Sequence, residues 1–255
     1  MFIDTHTHLD FDSYNEDREI VIQRAIENDI SAIITIGTNI ESSIESVNLS
    51  GKYAAVFAAV GIHPSDCLEA TEQDYKHLEE LAHNEKVVAI GEIGLDYYRM
   101  YAPKDVQIES FRRQIRLAKK LNMPLIIHNR EAHEDVLKII EEEDAGAVGG
   151  VFHSFTGDDK FLERILLNNF YISFTGNITF KKSEAEPLIR HTPAERLLLE
   201  TDSPFLTPTP LRGKRNEPAF LVHTATKIAE IKDLSNEELG SITSGNAKTL
   251  FGLNI

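Results

Sequence analysis

The chain has no tryptophan, one cysteine (Cys67) and no uninterrupted apolar stretch of membrane-spanning length. A lone cysteine excludes an intrachain disulfide and a thiolate cluster, so any metal must be held by imidazole and carboxylate groups. The lack of about 18 consecutive apolar residues excludes a transmembrane helix. The opening MFIDTHTHLD has neither a basic n-region nor a cleavage pattern, so it does not read as a signal peptide, and the cytoplasm is the expected location. Positive charge is also scarce: 26 Lys and Arg against 41 Asp and Glu give a formal charge of −15. That balance argues against a long phosphate-tracking groove, whose affinity comes from counterion release. It leaves room for an enzyme that handles one chain end with a few local cations.

What is present is an alternation. Short runs rich in Val, Ile, Phe and Ala recur at Phe2 to Asp4, Ala32 to Ile36, Ala54 to Val60, Val87 to Ile90, Pro124 to Ile127, Val148 to Phe152, Phe170 to Phe174 and Arg196 to Leu199, eight in all. They are nearly continuously apolar, as parallel strands covered on both faces are. The segments between them read as helices. EDREIVIQRAIEND sets Ile20, Ala25 and Ile26 among charges, and VQIESFRRQIRLAKKLN places Ile108, Phe111, Ile115, Leu117 and Ala118 on one face. Two last helices, around Ala219 to Ile231 and Asn236 to Leu250, are expected to close the structure. The 255 residues suit one α/β barrel, a (β/α)8 TIM barrel forming a single domain over 1–255, since that fold needs about 250 residues. A doubly wound open sheet is the competitor, but it opens on a Gly-rich phosphate loop where this chain has DTHTH.

A closed barrel carries its chemistry at the carboxyl ends of its strands. The residues at those ends are His6 and His8, Glu92, His128, His153 and Asp202. His6 and His8, two apart in an extended segment, send both imidazoles to one side. Glu92 sits between Gly91 and Gly94, which permit close backbone approach. A carboxylate there can bridge two cations with its two oxygens. His128 and His153 each end an apolar run, and Asp202 ends the last one, where it can bind a cation and take a proton from an attacking water. Metal one would take His6, His8, Glu92 and Asp202; metal two would take Glu92, His128 and His153. Nitrogen and oxygen donors without sulfur suit Mg, Mn, Zn or Ni. Two such ions activate water and stabilise the attacking and leaving oxygens of an in-line displacement. The structural alternatives are a Glu92–Arg pair, an Asx turn from Asp202 before Pro204, and single strand-end histidines satisfied by hydrogen bonds.

The segments FIDTHTHLD, GIHP, AIGEIGLDYY, PLIIHNR, FHSFTG and LLLETDSPFLTPTPLRGKRNEP resemble the TatD family of metal-dependent deoxyribonucleases, of the amidohydrolase-like superfamily. The resemblance runs from residue 2 to the closing GNAKTLFGL, and the long motif around Asp202 is its most specific part. It implies a (β/α)8 barrel and metal ligands at His6, His8, Glu92, His128, His153 and Asp202. By the same resemblance His63, Arg130 and the stretch from Arg212 through Lys214 to Arg215 contact substrate phosphate, a role that the planar guanidinium fork suits. Bland readings stand beside these: Arg130 pairing with Glu131 or Asp135, and LRGKR as a solvated loop. Tyr97 and Tyr98 offer either a stacking platform for a base or a pocket wall. His77, His83, His133, His191 and His223 are expected on the surface, and Cys67 in a polar loop without a catalytic role.

The leading expectation is a divalent-metal-dependent hydrolase of DNA phosphodiesters, a 3′–5′ exodeoxyribonuclease acting on single strands or 3′ ends, with Glu92 and Asp202 catalytic. The end preference follows from the resemblance alone. The alternative keeps the barrel and the metals but cleaves a phosphotriester, a lactone, an amide or an aminoacyl-tRNA ester. A non-enzymatic scaffold on a decayed barrel is the third, disfavoured by six intact ligand positions. No membrane or obligate protein partner is called for.

Overall fold

In the computed structural model, which describes residues 1–255, every apolar run forms a strand: β1 (Phe2–Thr7), β2 (Ile30–Ile36), β3 (Val56–Val60), β4 (Val87–Asp96), β5 (Leu125–Arg130), β6 (Gly150–Phe152), β7 (Phe170–Phe174) and β8 (Leu197–Leu199). The α-helices are α1 (Arg18–Glu27), α2 (Ile40–Lys52), α3 (Glu72–Leu81), α4 (Lys104–Leu121), α5 (His133–Glu142), α6 (Asp159–Leu167), α7 (Glu186–His191), α8 (Leu221–Lys232) and α9 (Asn236–Phe251). The strands pair in parallel, in chain order, from β1 to β8. The segment past β8 closes the ring: Thr7 and Ser203 bridge in parallel, the His8 amide donates to the Ser203 carbonyl at 2.8 Å, and the Asp202 amide donates to the His6 carbonyl at 2.9 Å. This is the (β/α)8 barrel, and the open sheet is excluded.

Alternate strand residues separate into two cores, as the period-2 geometry of a strand requires. Ile3, Ile34, Ile36, Phe57, Ile126 and Leu198 fill the barrel, and Phe251 and Leu253 from the chain's end pack on the same cluster. Ile33, Val56, Ile90, Leu125, Ile127 and Phe152 instead face the helices. In α4 the expected face is the buried one, with Phe111, Ile115 and Ala118 inside and Ile108 and Leu117 half-buried. Helix α1 corrects the expectation: Ile20 and Ile26 are 56% and 47% exposed, and the helix buries Val21, Ile22 and Ala25. Ala25 lies four residues after Val21 and three after Ile22, so the three share one stripe, which Ile20 and Ile26 flank.

Two irregularities aim the site. Strands β1, β4 and β5 continue past their apolar runs, so His6, Glu92 and His128 lie within strands instead of after them. Three residue steps of β1, Asp4 to Thr7, pair with two of β2, Ile33 to Thr35. Likewise three steps of β4, Ile90 to Ile93, pair with two of β5, Leu125 to Ile127. An extra residue reverses the side on which later side chains fall. Since Ile33, Ile90, Ile93 and Ile127 all face the helices, the two bulges turn His6 and Glu92 toward the barrel axis.

Candidate metal centre

Glu92 stands at the middle of the barrel mouth, and its two oxygens face different groups. Oε2 lies 3.4 Å from His6 Nε2 and 3.9 Å from His8 Nε2. Oε1 lies 2.8 Å from His128 Nδ1, 2.8 Å from His153 Nε2 and 3.6 Å from His63 Nε2. Asp202 closes the first group, with Oδ1 3.5 Å from His8 Nε2 and 3.8 Å from His6 Nε2. The His6 and His153 rings stack at 4.0 Å between centroids, so the two groups share a wall. Close packing of strands makes this possible: a Cβ on Gly94 would sit 2.0 Å from the His128 carbonyl oxygen, and one on Gly91 would sit 2.5 Å from Ile126 Cβ. Asp202 itself adopts a left-handed backbone, φ 52°, a conformation that costs energy for a non-glycine residue and recurs at functional sites.

The groups are buried, and their electrostatics are strongly coupled. Burial alone would raise the Glu92 carboxyl, but His153, His63 and the hydrogen bond from His128 hold it well below the usual carboxylate range. Asp202 is likewise lowered: burial opposes ionisation, and His8, His153 and His6 outweigh it. Burial works against the charged form of His153 too, yet Glu92 and Glu200 raise it well above the usual imidazole value. His128 is raised against burial by Asp96 and Glu92. His63 goes the other way, pushed down to about 3 by burial, with Glu92 opposing. His6 is also lowered, by burial first and then by His153.

Two further carboxylates, absent from the sequence-derived set, back the second group. Glu200 is fully buried, accepts hydrogen bonds from the Ser154 amide (2.5 Å) and Ser173 Oγ (2.7 Å), and faces His153 Nδ1 at 3.6 Å. Asp96 faces His128 Nε2 at 3.5 Å and accepts from the amides of Tyr98 and Arg99 at 2.9 and 2.8 Å. The only sequence signal for either was an acid within or next to an apolar strand. His63, assigned to phosphate, stands instead among the donor atoms, grouped with Glu92 and His128. The other compact groups are His6, His8 and Glu92, and His6, His153 and Asp202, so His153 reaches both halves. All six expected ligands are therefore together.

The outer residues divide. Arg130 pairs with neither Glu131 nor Asp135; its guanidinium lies over the Tyr98 ring at 4.1 Å. Asp135 is taken by the Tyr97 hydroxyl at 2.7 Å, which makes Tyr97 part of the wall, while Tyr98 is exposed. Arg212 is exposed and lies over Phe180 at 3.7 Å, and exposed Lys214 has no side-chain partner. Arg215 does not belong with them: it makes paired bonds of 2.9 and 2.6 Å to Asp17 and covers Tyr14 at 4.4 Å. That bidentate pair is a structural tie between the loop and the start of α1. Among the remaining histidines, His77, His83 and His191 are exposed, but His133 and His223 are half-buried, the former with its ring 4.3 Å from that of Phe161. Cys67 lies in a loop, as expected, yet its thiol is buried, donates to the Pro64 carbonyl at 3.2 Å and is pushed up to about 11 by that burial.

The donor set fits a divalent cation. His6 Nε2 is buried with no hydrogen-bond partner while facing oxygens of both Glu92 and Asp202. An unpaired buried polar atom costs roughly 1–3 kcal/mol, and a cation seated among these three atoms satisfies all of them with nitrogen and oxygen ligands.

A parallel barrel with this His, Glu and Asp cluster at its mouth is the framework of a metal-dependent hydrolase. Residues 3–252 match the family described as TatD related DNase, and the chain belongs to that family. It is 47% identical, over the whole of both chains, to a Bacillus subtilis protein named as the uncharacterized metal-dependent hydrolase YabD. It is 34% identical to the 3′-5′ ssDNA/RNA exonuclease TatD of Shigella flexneri, covering 98% of each chain. The crystal structure of YJJV, a TatD homolog from Escherichia coli, superposes with a TM-score of 0.91 at 30% identity, covering 99% of this chain and 98% of that one. No helix here is long and apolar enough to cross a membrane.

Proposed function

We propose that this hydrolase cleaves phosphodiester bonds of DNA, removing nucleotides from the 3′ end of single strands with the help of two divalent cations. The observation that carries the reading is the division of Glu92, one oxygen toward His6 and His8 and the other toward His128 and His153. A carboxylate so placed could serve one cation with each oxygen, and the chemistry such ions would supply is activation of water and offsetting of charge on the attacking and leaving oxygens. His6, His8 and Asp202 complete one side; His128 and His153, joined by His63, complete the other. Asp202 is held ionised by its imidazole neighbours and is the group suited to accept the proton of the attacking water. Exposed Arg130 and Arg212, free of carboxylates in a chain of charge −15, supply local phosphate contacts at the rim, with Lys214 as a further point charge. A few such cations suit a chain end better than a long duplex. The names of relatives support the same substrate class.

The test is digestion of 5′-labelled single-stranded DNA by metal-reconstituted protein, beside Asp202→Asn and Arg212→Ala. A ladder of progressively shorter products, lost in the first variant and weakened in the second, is expected. Hydrolysis of a lactone or carboxylic ester with no cleavage of DNA under any divalent metal would overturn the reading.

A further inference from the structure

The segment that leaves β4 reads Tyr97-Tyr98-Arg99-Met100-Tyr101, and three of the chain's exposed large apolar side chains fall within it: Tyr98 (60% exposed), Met100 and Tyr101 (60%). Nothing in the fold covers them. The cations beside them meet only the rings and no carboxylate. Arg99 lies over Tyr101 at 5.9 Å, touching only its hydroxyl, and Arg130 lies over Tyr98 at 4.1 Å; neither forms an ion pair. Elsewhere in this acidic chain arginines such as Arg112, Arg116 and Arg164 are tied to carboxylates.

The segment is also fixed to the metal centre. The amides of Tyr98 and Arg99 donate to Asp96 Oδ1 while the other Asp96 oxygen faces His128. Arg130 pairs in register with Asp96 and lies two residues beyond His128 on β5, so it emerges on the same side of the sheet. Flat rings interspersed with guanidiniums free of carboxylates, beginning two residues from a ligand-backing carboxylate, suit a polymer that alternates planar bases with phosphates. Only an unpaired strand presents the faces of its bases.

We infer that Tyr98, Arg99, Met100, Tyr101 and Arg130 form a docking surface for the nucleotides of a single strand that lie next to the one being removed. This rests on the nucleic-acid reading above and adds to it the means by which single strands are preferred. Tyr98 and Tyr101 stack on bases, and Arg99 and Arg130 leave their rings to meet the intervening phosphates or remain as a cationic backing to the stack.

The test combines binding with length dependence. Fluorescence anisotropy with a labelled phosphorothioate oligothymidylate of about 10 nucleotides, a length within single-strand site sizes, reads affinity in Mg2+ without cleavage. The Tyr98→Ala, Tyr101→Ala double variant is expected to bind about five-fold or more weakly, the lower end of what one lost base stack costs. The Tyr98→Phe, Tyr101→Phe variant is expected to bind as the wild type does, and Arg99→Gln to flatten the salt dependence. The wild type should bind the same sequence less tightly as a duplex. In parallel, kcat/KM should rise from a thymidine dinucleotide to the longer oligomer in the wild type, and the double alanine variant should lose that rise. A double alanine variant that binds the oligomer as tightly as the wild type and keeps the length gain overturns the docking surface while the nuclease reading stands. A wild type that cleaves neither substrate overturns the nuclease reading itself.

Discussion

The two halves of the histidine–carboxylate cluster use the same residue types on the same barrel rim, yet they are backed differently. In the half made by His6, His8 and Asp202, His8 Nδ1 meets a neutral main-chain carbonyl, that of Ile36 at 3.3 Å, and His6 Nδ1 meets nothing. In the half made by His128 and His153, the far nitrogens also lack a hydrogen bond, but they face the carboxylates of Asp96 and Glu200 at 3.5 and 3.6 Å, within reach of an ion pair. A carboxylate behind an imidazole fixes its tautomer and raises its basicity. The cluster is therefore unequal both in its donors, with Asp202 on one side only, and in the layer of side chains behind them, and Glu92 joins the unequal parts.

The largest effect is expected from removing the joint. In Glu92→Gln both halves lose their shared anion, so metal content should fall on both sides and activity by more than the ~10–100-fold that loss of an outer partner costs. Metal analysis of the purified variant reads this directly, and retention of a full complement would contradict it. Next in size is removal of the backing alone. Glu200→Gln and Asp96→Asn should each weaken the binding of one cation by ~10–100-fold and leave the other nearly unchanged; stepwise calorimetric titration with Mn2+ separates the two, and equal weakening of both steps would erase the asymmetry.

Protonation separates the two halves as well. His153 and His128 are both raised above the ordinary imidazole value, so near neutral pH each must give up bound protons before accepting a cation. Cation binding should therefore release protons, and affinity should fall as pH drops, more steeply for the half that contains these two residues than for the other, where His8 is raised against burial by Asp202 but His6 is lowered by burial. Titrations in buffers of different ionisation enthalpy measure the release. In the metal-free protein stability runs the opposite way with pH: the raised histidines contribute below the ordinary value near 6.5, and the contribution is lost as pH climbs through their folded-state values.

The smallest expected effect lies behind His6. Asp4 is fully buried, hydrogen-bonded to Thr201 and the His6 amide, and raised to about 8 by burial. A carboxyl raised on folding favours the folded state most below its unfolded value near 3.8, and that advantage is lost as pH rises through about 8. Denaturant midpoints for wild type and Asp4→Asn across that window should fall more steeply in the wild type, the histidines contributing the slope that the variant keeps.

The sequence made the strands legible because burial on both faces writes them as unbroken apolar runs, and it made the ligands legible because each stands at the end of such a run. The bulges at Asp4 to Thr7 and Ile90 to Ile93 left no mark: polar residues end an apolar run whether or not the strand continues, so His6 and Glu92 read as residues at strand ends although they lie within strands. Glu200 and Asp96 were hidden for a related reason. An acid near a ligand looks like a solvent-facing neighbour until the fold turns it inward against Ser173 or His128. Arg215 illustrates the limit of local reading, since its partner Asp17 is distant along the chain and near only because β8 returns beside β1. In α1 the surplus of isoleucines offered more than one apolar stripe, and packing chose the one through Val21, Ile22 and Ala25.

The central claim, that Glu92 joins two unequal cation sites, is tested most directly by anomalous diffraction at the metal edge from crystals soaked in increasing Mn2+. The expected result is two peaks flanking Glu92, with the peak beside His128 and His153 filling first and losing that priority in Glu200→Gln. A single peak away from Glu92, or two that fill together in both proteins, would contradict it.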